Sequence, residues 1–161
     1  MRKFDSRRIA VYGMVAAVYA VLTIVMAPYS FYGVQFRIGE ALVLLCFYKK
    51  DYIVALTIGC AIANLFSPML AWDMTVGVFA TFLSVLMISF SKNIYIASLF
   101  PVVINGVLVG IGVTKYFGGG LLINMGLVAL GEFICISIVG IIIFKSLEKN
   151  KKFMRLIKFE N

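Results

Sequence analysis

The sequence predicts an all-α integral membrane protein, a bundle of six transmembrane helices with both termini in the cytoplasm. Three observations carry that prediction. Of the 161 residues, 63% are hydrophobic and 14% charged, and the mean hydropathy is +1.04. A soluble domain cannot hide that much apolar surface, so the solvent is lipid. Apolar runs recur along the chain near the roughly 20 residues that cross a ~30 Å hydrocarbon core. Finally, the basic residues are sorted by side. The N-terminus, the turns at Lys49/Lys50 and Lys92, and the C-terminus hold thirteen Lys and Arg, while the intervening loops hold two, Arg37 and Lys115. That bias places both ends in the cytoplasm and favours an even number of spans.

The first span is expected over residues 9–27, closed by Pro28 and a turn through residue 33. Basic residues precede it without a small-residue cleavage site, so it reads as a retained helix rather than a signal peptide. The second, 38–48, is short for a full crossing and is expected to tilt or to begin below the outer surface. Lys49, Lys50 and Asp51 mark a turn. The third runs over 52–66, ahead of Ser67 and Pro68, and the fourth over 73–90, ahead of Lys92 and Asn93. The fifth covers 94–113, followed by Lys115 and the triplet Gly118, Gly119 and Gly120. The last, 121–144, enters a basic tail. No repeat, linker or low-complexity tract divides the chain, which reads as a single transmembrane domain over residues 1–161.

The net charge of +8 would suit nucleic acid, but its bases sit in terminal clusters flanking apolar spans, so no nucleic-acid partner is expected. Cys46, Cys60 and Cys135 are odd in number, lie inside apolar runs and have no His beside them. They read as buried free thiols rather than as a disulfide or a zinc site, and no metal is expected. The sequence lacks a G-x-x-x-x-G-K-[ST] phosphate loop, because the glycine triplet is followed by Leu121. No Ser has an adjacent base. The chain therefore reads as a non-enzyme without a cofactor of its own. Uphill movement of a solute would need ATP used by a partner or an ion gradient.

The polar residues inside this hydrocarbon chain are its informative part. At 1.5 Å per residue, Glu40 falls near the outer start of span two and Asn64 in the last outer turn of span three. Trp72 and Asp73 fall at the outer start of span four, Asn105 about half-way up span five, and Glu132 near the midplane. Gln35 and Arg37 belong to the first outer loop. A charge in hydrocarbon costs at least ~2.5–3.5 kcal/mol, so these groups are expected to face the bundle interior or a cavity. Structural roles compete with binding roles at each. Arg37 and Glu40 are three apart and suited to pair across a helical turn. Asn64 and Asn105 suit interhelical hydrogen bonds, Asp73 a helix N-terminus and Trp72 the interfacial belt. Gly13, Ala16, Ala17 and Ala20 form a small-residue stripe on the first helix, open either to packing within the bundle or to docking of a partner membrane protein.

The string Gln35-Phe36-Arg37-Ile38-Gly39-Glu40-Ala41-Leu42, followed by Ile62-Ala63-Asn64-Leu65, Asp73 with Gly77, and Gly131-Glu132, resembles the QueT family over nearly the whole chain. Gly39 departs from the Ser that family places before the Glu. The resemblance implies a queuosine-precursor transporter, the substrate-binding (S) component of an energy-coupling factor (ECF) transporter in a bacterial plasma membrane. Such a component captures its ligand outside, docks on a transmembrane coupling protein driven by two ATPase subunits, and topples to release cargo inside. The ligand would be a 7-deazaguanine: preQ1, preQ0 or queuine. A carboxylate can accept from the N1 and N2 donors of its guanine edge, a second carboxylate would suit the preQ1 ammonium, and Asn side chains suit O6 and the ring edge. Trp72 or Tyr32 is a candidate to stack on the base. Another vitamin or purine as cargo, or a small proton-coupled secondary transporter relaying through Glu132, remain the competing readings.

Overall fold

The computed structural model describes residues 6–31 and 34–159, and all regular structure in them is helical. Helix α1 spans Ser6–Val25, and a four-residue turn, α2, spans Ala27–Ser30 with Pro28 in its first turn, where a missing N–H costs nothing. Helix α3 covers Ile38–Tyr48 and α4 covers Tyr52–Asn64. Helices α5 (Leu70–Phe90), α6 (Ile94–Phe117) and α7 (Leu121–Glu148) follow, then the amphipathic α8 (Lys151–Lys158).

Six apolar helices thus occupy the expected places, but four of them, α1, α5, α6 and α7, are long and apolar enough to cross a membrane. The six helices stand where spans were expected; α3 is short, as the sequence suggested, and α4 ends at Asn64, before the expected bound at residue 66. Helices α3 and α4 both stop short at the end away from the Lys49–Asp51 turn. The vacated depth is filled by two irregular segments, 34–37 and 65–69, which bury Gln35, Arg37, Ser67 and Met69. Irregular backbone survives at membrane depth only where protein surrounds it.

Boundaries moved for identifiable reasons. Helix α5 starts before Asp73 because the Ser67 Oγ accepts the Met69 N–H (3.0 Å) and turns the chain early. Asp73, expected at the outer start of its span, is therefore buried inside the helix. The α6 N-terminus is capped by the Asn93 side chain, which accepts from the Tyr95 N–H at 2.9 Å. It runs past residue 113 to Gly118, whose φ of 78° supplies the left-handed stop. Lys145 and Glu148, paired at 2.9 Å, carry α7 past residue 144.

The basic segments gather at one end of the bundle. Arg8 and Lys49 both lie over the Phe159 ring, at 5.3 and 4.9 Å. Lys49 Nζ donates to the Lys158 carbonyl (2.6 Å) and Tyr52 Oη to that of Ile157 (3.0 Å), tying α8 under the α3–α4 turn. Outward faces such as Met14, Val21 and Val25 of α1 or Ile142 of α7 are exposed and apolar, as a lipid-facing surface requires. Within the core, α1 packs on α4 and α6 on α7.

The small-residue stripe divides. Gly59 lets α4 approach so closely that a methyl there would lie 2.8 Å from the Ala16 carbonyl oxygen. Ala16 and Ala20 are accordingly buried inside the bundle, which removes them from the expected docking face. Gly13 and Ala17 stay exposed on the outer side of α1.

Candidate functional site

The three acidic side chains of the interior sit where the helices are irregular. Glu40 lies in a 3₁₀ stretch, Ile38–Leu44. Asp73 begins a π-helical stretch, Asp73–Gly77, and Glu132 precedes another, Phe133–Gly140. Departures from α geometry of this kind free backbone and re-aim side chains, and they recur at functional sites. Glu40, Asp73 and Glu132 are 0%, 0% and 1% exposed, and Arg37 is 1% exposed.

A hydrogen-bonded chain joins most of them. Tyr19 Oη donates to Glu40 Oε1, which also accepts from Thr81 Oγ1 at 3.5 Å. Thr81 meets Cys60 Sγ at 3.2 Å. Asn64 Nδ2 reaches the same sulfur at 3.5 Å and donates to the Asp73 carbonyl at 2.8 Å. Asp73 Oδ2 accepts from Ser67 Oγ (2.5 Å) and pairs with Arg37 Nη2 at 3.5 Å. Arg37 Nε donates to the Ser30 carbonyl at 3.3 Å, and its guanidinium lies 5.4 Å over the Phe31 ring. Apart from this chain, Asn105 Nδ2 donates to Glu132 Oε1 at 2.9 Å. Glu132 is within electrostatic reach of Glu40 and Arg37.

Loop 34–37 is held on α7 by a glycine. A methyl on Gly131 would overlap the Val34 carbonyl oxygen and sit 2.9 Å from that of Gln35. Gly131 therefore lets the loop backbone rest directly beside Glu132. Gln35 adopts φ of 51°, a left-handed conformation that is strained for a side-chain-bearing residue. Gly77 plays a related part, since a methyl there would crowd Asn64 Nδ2 and Asp73 Oδ1, both at 3.2 Å.

Seven of the eight residues singled out from the sequence, Gln35, Arg37, Glu40, Asn64, Asp73, Asn105 and Glu132, are brought together in this buried region. Their pairing differs from the expectation. Arg37 pairs with Asp73 rather than with Glu40, because the 3₁₀ turn aims Glu40 at α1 and α5 instead of along its own helix. Gln35 and Arg37, placed in an outer loop, are buried. Trp72 is the exception. Its indole packs on Gly112 of α6 and its Nε1 donates to the Leu108 carbonyl at 3.1 Å, so it joins α5 to α6 instead of facing the cluster. Tyr32, the other stacking candidate, lies outside the described residues.

Tyr19, Cys60, Ser67 and Thr81 escaped the sequence reading. Helical spacing carried the signal for two of them, Cys60 and Thr81. Asp73, Gly77 and Thr81 repeat every four residues, as do Cys60 and Asn64, so each set shares a face with a recognised site residue.

Among the described residues, six buried side-chain polar atoms have no partner: Gln35 Nε2, Glu40 Oε2, Asn64 Oδ1, Asp73 Oδ1, Asn105 Oδ1 and Glu132 Oε2. Leaving such atoms unpaired costs roughly 1–3 kcal/mol each, more for charged groups. Six in one region leave hydrogen-bonding capacity that a packed core does not use and that a polar molecule could satisfy.

Comparison with known proteins points the same way. The model of the QueT transporter family matches residues 9–149. The queuosine precursor transporter QueT of Lactococcus lactis subsp. cremoris (strain MG1363) is 37% identical over 97 residues, covering 57% of this chain and 56% of that relative. The similarity thus spans little more than half of the relative's length. No solved structure matches. The family is one of transporters, not enzymes, and with its apolar helices it makes this a multi-pass protein of the bacterial plasma membrane. The match extends over most of the chain and contains every residue of the buried cluster, and the chain belongs to the QueT transporter family.

Proposed function

We propose that the chain is the substrate-binding component of an ECF-type importer that captures a queuosine precursor, a 7-substituted 7-deazaguanine, from outside the cell. The observation that supports it best is the pair Glu40 and Glu132. Each is buried, each has one carboxylate oxygen hydrogen-bonded within the protein, and each keeps the other oxygen unpartnered. A carboxylate held in that way accepts the N1 and N2 donors of a guanine edge, and a buried polar site rejects analogues lacking them by up to ~10⁴–10⁵-fold. The named function of the Lactococcus relative agrees.

The test is a titration of the purified protein in detergent with preQ1, preQ0, queuine and guanine. Tight binding of a deazaguanine, with guanine much weaker, is expected. Failure of all four in folded protein would overturn the cargo and bring vitamins such as thiamine forward. Glu40→Gln and Glu132→Gln are each expected to weaken binding by more than about tenfold, the loss of a charge-assisted hydrogen bond, while far-UV circular dichroism stays unchanged. Unaltered affinity in both would remove these residues from the site.

The energy for uptake comes, in this reading, from a coupling protein and two ATPases that dock on the exposed face of α1. Gly13 and Ala17 supply the close approach there, and the basic end of the bundle faces the cytoplasm. Ala17→Leu is expected to leave ligand affinity intact and cut ATP-dependent uptake at least roughly tenfold, on the scale of lost close packing. Full uptake by that variant would move the docking face elsewhere. Uptake by the isolated protein, driven by a pH gradient alone, would favour a proton-coupled carrier instead.

A further inference from the structure

The unpaired atoms of the cluster are lopsided in two ways. The first is charge. Among the described residues the buried Arg, Lys, Asp and Glu side chains of the cluster are one base, Arg37, and three acids, Glu40, Asp73 and Glu132. Arg37 is paired with Asp73. Glu40 receives hydroxyl donors and Glu132 an amide donor, but neither receives a cation in hydrogen-bonding contact.

The second is polarity. Of the six unpartnered atoms, five are oxygens and one is a nitrogen donor, Gln35 Nε2. The orientation of both asparagines follows from their partners. Asn64 Nδ2 faces the Asp73 carbonyl and Asn105 Nδ2 faces a carboxylate, so in each the oxygen is the free end. The site as built offers acceptors almost exclusively.

We infer that the cluster selects a cation, and that among deazaguanines it takes the bases bearing a protonated aminomethyl group at position 7 over the neutral 7-nitrile. This rests on the deazaguanine reading above and goes beyond it by naming the 7-substituent. The aminomethyl base carries donors at N1, N2 and N9 plus an ammonium, against acceptors at O6 and N3. Its donors match the oxygens, and Gln35 Nε2 is the free donor available to O6. The ammonium supplies a counter-charge in contact with a carboxylate that Arg37, paired with Asp73, does not touch. The nitrile base lacks that charge and adds an acceptor, and guanine adds one at N7. Each of these extra acceptors faces a site whose free atoms are mostly acceptors, which is a direct penalty. preQ1 and queuine both carry the 7-aminomethyl nitrogen as an ammonium, so charge does not separate them; preQ0 is the neutral nitrile.

The test compares wild-type protein with preQ1, preQ0 and 7-hydroxymethyl-7-deazaguanine, which keeps the size of preQ1 and removes its charge. The expected result is that preQ1 binds roughly 10–100-fold more tightly than either neutral base, the scale of a hydrogen bond to a charged group. In at least one of Glu40→Gln and Glu132→Gln that preference should collapse to within about threefold. Equal affinity of wild-type protein for all three would overturn this inference and leave the deazaguanine reading standing. A preference that survives intact in both variants would also overturn it, because the selecting charge would lie elsewhere. Absence of binding by every deazaguanine would instead overturn the proposed function itself. The wild-type comparison needs no variant, so a variant that fails to fold does not shield the idea.

Discussion

Replacing Arg37 by methionine is expected to destabilise the protein by about 3–5 kcal/mol, the range for breaking a buried ion pair from one side. The reason is the environment of Asp73. It is 0% exposed, and Ser67 and Arg37 are its side-chain partners. Methionine fills most of the space of the arginine stem but leaves the carboxylate without its counter-charge. It also releases the Ser30 carbonyl, which Arg37 Nε holds at 3.3 Å, so segment 34–37 loses an anchor to α2. Unfolding by increasing denaturant in mixed micelles measures the loss. The double variant Arg37→Met with Asp73→Asn should recover more than half of it, since the charge that needed a partner has gone. An Arg37→Met protein as stable as the wild type would mean that water, rather than Arg37, solvates Asp73.

The second large effect is expected from one methyl group. Gly131→Ala puts a carbon into overlap with the Val34 carbonyl oxygen and 2.9 Å from that of Gln35. Both obstacles are backbone, so no side chain can rotate away and the loop must lift off α7. Overpacking of this kind costs typically about 1–3 kcal/mol. Here it also moves Gln35 and Arg37 relative to Glu132, so affinity for the proposed deazaguanine ligand should fall by more than tenfold, roughly the cost of one charge-assisted hydrogen bond. The matched control is Gly13→Ala. Nothing lies within 4 Å of a methyl at that position, and alanine is the better helix former by about 1 kcal/mol. That variant should be as stable as the wild type or more so, with unchanged affinity. Equal behaviour of the two variants would show that the loop does not rest on Gly131.

Much of the architecture was legible from the chain alone. The apolar runs gave six helices in the right order, because lipid solvent forces each apolar stretch to satisfy its own backbone hydrogen bonds. The identity of the polar residues was legible for the complementary reason: Glu40, Asp73, Asn105 and Glu132 stand out in hydrocarbon because burying them is expensive. The three cysteines, read as buried free thiols, are buried and free. Lengths were less legible. Helix α3 read as short and α4 as a span to residue 66, and nothing local said that the missing turns would be replaced by buried loop.

What the tertiary structure alone decided was partnership. Arg37 lay three residues from Glu40 and thirty-six from Asp73, and it pairs with Asp73. Local spacing favours the nearer acid only on an ideal helix, and the 3₁₀ stretch turned Glu40 toward Tyr19 and Thr81. Trp72 left the cluster for Gly112 because a glycine on α6 opened a slot of indole width. Ala16 and Ala20 left the docking face because Gly59 admitted α4. Tyr19 entered the site from a helix whose sequence advertised only small residues. By itself the sequence determined the solvent, the helices and which residues are too polar to face lipid, since those follow from transfer free energies of single residues. Which of those residues meet, and which atoms are left over for a ligand, depends on close approaches between helices distant in sequence, set by a few glycines and by departures from α geometry.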